Sequence, residues 1–301
     1  MLETAERLEM QGFRELVEGS SLSAEELYNR AKENCYIHAD EAFKDGLIAA
    51  VMLIMILGFW DIYFGADADA QPHHHLHITT VFIWIGLLLT QLTLMATGSR
   101  EMHRKVGQAV VIAGPLLVAT TSMLAVHSAH KGVVSGEGDF LIVQNVMGTL
   151  ELGLLIFLAF LLKNRRELHG SLLLSTTILF MGIALFFAMI NFVPQFRIEG
   201  PETFYRFQMA GIAGQVICVA VGLLFFIRDR KNGWPFLVAA VCFPLNDAIR
   251  AMLTSAGLID PLTEFVGSMN QPLTFVATFV LMFLLLAAKA LPTMRQPRAA
   301  L

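Results

Sequence analysis

Charge is scarce in this chain: Asp, Glu, Lys and Arg make up 15% of its 301 residues, against 55% hydrophobic. With a mean hydropathy of +0.62, that is more apolar surface than a water-soluble domain can bury, which excludes a soluble enzyme. Cysteine is nearly absent. Cys35 precedes the first apolar run, while Cys218 and Cys242 fall inside later ones, so no secreted disulfide framework is present. The last two read as small apolar packing residues. A basic excess is also missing: 21 Lys and Arg face 25 Asp and Glu, and the net charge of -4 excludes a nucleic-acid partner, which needs a basic face. The first 45 residues lack the apolar stretch and cleavage site of a secretory signal and are expected in the mature protein. No Walker loop, dinucleotide glycine motif, His-Glu-x-x-His or Gly-x-Ser-x-Gly occurs, so ATP coupling within the chain is not expected.

Long apolar runs are what the sequence does have. Eight segments approach the roughly 20 residues that a helix needs to cross a bilayer: Leu47 to Phe64, Ile78 to Ala96, Gln108 to Val126, Phe140 to Leu162, Ser171 to Val193, Phe207 to Ile227, Pro235 to Ala256 and Pro272 to Ala290. They are continuous, without the period-two alternation of a barrel strand, and predict an all-α polytopic bundle in a lipid bilayer. Connections rich in Lys and Arg (Arg100, Arg104 and Lys105; Lys163, Arg165 and Arg166; Arg228, Arg230 and Lys231) alternate with connections poor in them. The positive-inside rule then predicts an inner-membrane protein with both termini cytoplasmic. The expected organisation is an amphipathic cytoplasmic arm over 1–45, an eight-span domain over 46–291 and a cytoplasmic tail over 292–301. The arm, with a capping box at Ser23 to Glu26, reads as a solvated cap or as the docking arm for a larger membrane complex.

Arg100-Glu101-Met102-His103 before span three is echoed by Arg166-Glu167-Leu168-His169 before span five. Read as a duplicated hairpin, this predicts a four-helix core over 73–193, with His103 and His169 at its cytoplasmic rim. The rival origin of the echo is the ordinary composition of cytoplasmic helix starts.

Histidine clusters at span ends. His73, His74, His75 and His77 lead into span two, and His127 and His130 leave span three. An antiparallel hairpin brings these groups to one side of the membrane. Converging imidazoles can hold zinc, copper or haem iron, so His73, His75, His77, His127 and His130 are the candidate metal ligands. The plain alternative is a polar interfacial loop. His103 and His169, at equal depth on the repeat reading, can ligate a haem from opposite faces, or can be interfacial residues only.

The order of His77, an apolar span, His103-Arg104-Lys105-Val106-Gly107, a second span and then Arg166 to His169 resembles a group of bacterial multi-pass membrane proteins of no assigned activity. More distantly, it is similar to transmembrane b-type cytochromes of the ascorbate-dependent ferric reductase type. That resemblance implies haem b, with His77, His103, His127 and His169 as ligands, and electron transfer across or within the membrane to a redox partner. Span four carries Gln144, Asn145 and Glu151 in place of the histidine a typical member has there.

Three charges fall within spans: Glu151 in span four, and Asp247 with Arg250 in span seven. Each costs on the order of 3 kcal/mol at the bilayer centre and needs a partner, a cavity or water. Asp247 and Arg250 can pair at i, i+3. Glu151 has no local partner, so Gln91 or Gln215 from other spans, or a proton-carrying role, are its expected outlets. The rival functions are accordingly an ion or small-molecule transporter built on these carboxylates, and a structural or assembly subunit.

Overall fold

A computed structural model of the protein describes residue 26 and residues 43–66 and 68–294. The chain divides into two compact units between Leu47 and Ile48, and the membrane unit is the second. Most of the expected arm over 1–45, and the tail from 295 on, lie outside the described residues. Every regular element among the described residues is helical.

Helix α1 runs over 43–58, and α2 is a single turn, Trp60–Tyr63. Then follow α3 (Pro72–Ala96), α4 (Arg100–Gly107), α5 (Val110–Ser135), α6 (Ile142–Leu161), α7 (Arg166–Phe192), α8 (Tyr205–Arg228), α9 (Trp234–Ser255), α10 (Ile259–Gly267) and α11 (Gln271–Met294). Seven of these, α3, α5, α6, α7, α8, α9 and α11, are long and apolar enough to span a membrane. The first expected span is broken instead: its helical geometry ends at Phe59 (φ -97°, ψ 18°), beside Gly58, which presses on the backbone of Ala184 where a Cβ would collide.

Two boundaries move the histidines from loops onto helices. α3 starts at Pro72, a first-turn position where the missing N–H leaves nothing unpaired. His73, His74, His75 and His77 therefore ride on α3. α5 continues nine residues beyond the expected end at Val126 and stops at Gly136, whose φ of 74° is the left-handed cap that glycine supplies. His127 and His130 are helical too. At 26 residues, α5 is about 39 Å long, against a hydrocarbon core of about 30 Å.

α5 and α7 are the central helices: 67% and 61% of their apolar stretches are covered, against 28% for α3 and 11% for α11. α5 is flanked by α3, α6, α10 and α11, and α7 by α6, α8 and α9, with α3 touching it as well. The buried centre of the bundle runs along α5 and α7, which α6 and α3 both touch. Its key is Trp84 on α3, fully buried, whose indole Nε1–H donates to Thr176 Oγ1 on α7 at 2.9 Å. Thr80 and Thr120 join α3 to α5 through hydroxyls 2.8 Å apart. These ties fix the rotation of α3 against both neighbours.

The two halves of the sequence echo differ in structure. Arg166 to His169 form the first turn of α7. Arg100 to His103 belong to a separate amphipathic helix, α4, joined to α5 through Gln108 and Ala109.

Candidate functional site

Because α3 and α5 run antiparallel, the start of one meets the end of the other. His73, His74 and His127 each offer a ring nitrogen, and these atoms all lie within 4.8 Å of one another. Ring centroids are 3.9 Å apart for His73 and His127, 4.2 Å for His73 and His74, and 6.0 Å for His74 and His127. His73 Nε2 is buried without a hydrogen-bond partner. Two ligands of one zinc ion stand at most about 4.2 Å apart, twice a Zn–N distance of about 2.1 Å, so the three nitrogens would have to draw closer to share one ion.

The Gln71 backbone N–H donates to His74 Nδ1 at 3.1 Å, which places the His74 proton on Nε2, so this ring joins a metal only by giving up that bond. The Gln71 side chain donates to Asp69 at 2.9 Å. Asp69 and Lys131 act electrostatically on His74 with opposite signs, and Lys131 also acts on His127. His74 further lines a cavity of about 170 Å³, whose wall includes Tyr63, His77 and Asn145 among apolar side chains such as Phe59 and Phe180. The Tyr63 hydroxyl is buried and unpartnered.

The other histidines of this end are engaged elsewhere. His75 meets the Tyr63 ring edge-on at 5.5 Å. His77 Nδ1 lies 3.2 Å from Thr120 Oγ1, two helical turns deeper than His127. His130 Nδ1–H donates to the Gly267 carbonyl at 3.2 Å, because Gly267, lacking a side chain, lets α10 rest on the α5 backbone at Ala129. The structure therefore joins His73 and His127 of the expected metal set and adds His74.

At the basic end, His103 and His169 are within electrostatic reach of each other, but each ring has a bond of its own. His169 Nδ1–H donates to the Ala159 carbonyl at 2.8 Å, leaving Nε2 with a free lone pair. The Gly107 N–H donates to the Gln91 amide oxygen at 2.9 Å, which turns the amide nitrogen toward His103 Nδ1. That bond places the His103 proton on Nε2, the opposite of what a ligand requires. His77 and His127, the other expected haem pair, stand at different depths on facing helices, and the 170 Å³ cavity is lined by His77 and not by His127.

The intramembrane charges meet between α6, α8 and α9. Gln144 and Gln215 donate their amides to the two Asp247 carboxylate oxygens at 2.6 and 2.5 Å. Arg250 stands off at 3.9 Å from Asp247 and stacks its guanidinium over Phe140 at 4.3 Å. Glu151 pairs with neither Gln91 nor Gln215 but faces Asn246 and Cys242, so Cys242 is a polar neighbour and not only packing. Cys218 is buried as expected.

Comparison with known proteins finds no family model, curated sequence or solved structure that matches this chain. Every assignment therefore rests on its own residues.

Proposed function

We propose that this is a multi-pass membrane metalloprotein that holds one transition-metal ion through His73, His74 and His127. The observation that carries this reading is the convergence of three ring nitrogens within 4.8 Å, supported by the unpartnered His73 Nε2. The donors are neutral imidazoles without a thiolate, a set that suits zinc or copper. Three protein ligands would leave one coordination position open, the arrangement of reactive rather than purely structural sites, and His74 also borders the 170 Å³ cavity. By the positive-inside rule this end faces away from the cytoplasm, so the ion would be taken from outside the inner membrane.

The rival is a b-type cytochrome, favoured by the proximity of His103 and His169 and by the free Nε2 of His169. Metal analysis and a dithionite-reduced visible spectrum of the detergent-purified protein separate the two. One zinc or copper per chain, lost in His73→Ala and His127→Ala, is the expected result. Stoichiometric haem that disappears in His169→Ala, with no metal outside it, overturns the proposal.

A further inference from the structure

Glu151 is the tenth residue of the 20-residue α6, about 14 Å from either end, and so lies near the bilayer midplane. Its carboxylate faces the Asn246 amide and the Cys242 thiol of α9. Its Oε1 is nevertheless buried without a partner, and so is Asn246 Oδ1. Asn246 is only 2% exposed, which leaves water little access to that carbonyl. Two acceptors on neighbouring side chains thus lack a donor, and a buried acceptor left unpaired is destabilising. Asp247, the next residue, is the opposite case, with a donor on each oxygen and Arg250 nearby.

One proton resolves both orphans. We infer that Glu151 is an intramembrane proton-binding site: its acid Oε1–H donates to Asn246 Oδ1 while the Asn246 amide donates to the other carboxyl oxygen. The result is a two-bond acid–amide pair, neutral in the bilayer, near an Asp247 whose two oxygens already have donors. The remaining helices packed on α6 carry their titratable groups at their ends: His127, His130 and Lys131 on α5, the first turn of α7, and Lys289 on α11. The short α10 adds Asp260 and Glu264 at the His-rich end. At the depth of Glu151 α9 offers Cys242; Asp247 lies toward the start of α6, at Gln144, and Arg250 beyond it, against Phe140.

Dicyclohexylcarbodiimide tests this on the full chain in vesicles, because it reacts with protonated carboxyls inside membranes. Its nitrogen takes the acid proton, the carboxyl oxygen adds to its central carbon, and an oxygen-to-nitrogen acyl shift leaves a stable N-acylurea with nothing released. Peptide mass spectrometry should find the adduct on Glu151 and not on Asp247. Infrared spectra should show a protonated-carboxyl C=O band that is missing in Glu151→Gln and shifted in Asn246→Leu. Glu151→Gln copies the neutral acid and should fold with unchanged stability. The infrared band decides where the reagent fails to reach Glu151. Equal labelling of Asp247, or an acid band unchanged in Glu151→Gln, overturns the inference.

Discussion

The two histidine layers answer the same sequence signal in different ways. At the His-rich end, rings from α3 and α5 converge on one point with a buried nitrogen unspent. At the basic end, His103 and His169 lie near each other, but His103 accepts at Nδ1 from Gln91 while His169 donates from Nδ1 to Ala159 and keeps its Nε2 lone pair. An imidazole has two nitrogens and, when neutral, one lone pair, so the bond made by the second nitrogen decides what the first can do. Proximity of histidines marks a place to look. Unused lone pairs separate the two layers: His73 Nε2 is buried and unpartnered, while at the basic end His169 alone keeps a free one.

The sharpest way to break this contrast is to delete rings from each layer in turn. His127→Ala should weaken zinc binding by more than the roughly 100-fold that loss of a supporting residue can cost, while His169→Ala should leave it unchanged in isothermal titration. Acidification is the next largest effect. Ligands must be neutral, so each proton that takes a ring from the metal weakens binding, and affinity should fall as the pH is lowered, read in the same titration. Thr176→Val leaves the buried Trp84 indole N–H unsatisfied, which should cost about 1–3 kcal/mol in detergent thermal unfolding. Because that bond sets the rotation of α3, metal affinity should fall too. The smallest effect belongs to Lys131→Gln: removing a nearby positive charge should tighten zinc binding by a few-fold, worth up to about 1 kcal/mol, and the gain should vanish in high salt.

Hydropathy alone reveals the apolar helices, because a bilayer demands length and lack of charge. It misplaces the ends that matter here. The run His127-Ser128-Ala129-His130-Lys131 is polar, so an apolar window closes at Val126 while the hydrogen-bonded helix goes on to Ser135. Gly136, and Pro72 at the other helix, were the legible punctuation. The ligand set was harder. Consecutive helical residues point about 100° apart, so nothing in the sequence aims both His73 and His74 at α5. That follows from the rotation imposed by Trp84, Thr80 and their partners, which lie 92 and 40 residues away. The same contacts turn His77 toward Thr120 and away from the cluster. Asn246 as the neighbour of Glu151 was equally out of reach, since the register of α6 against α9 is a tertiary property.

The length of α5 has a consequence for the cell membrane itself. Its basic end is anchored by the amphipathic α4, and His127 lies 17 residues further along than Val110, about 26 Å up an ideal helix. In a hydrocarbon layer of about 30 Å the three rings sit just beneath the far boundary, and in one of about 27 Å they reach the headgroups. Bilayer thickness would then act as a throttle on ion exchange, with thin, fluid lipid exposing the cluster and thick lipid sealing it. The same polypeptide would load quickly in one lipid environment and retain its ion in another.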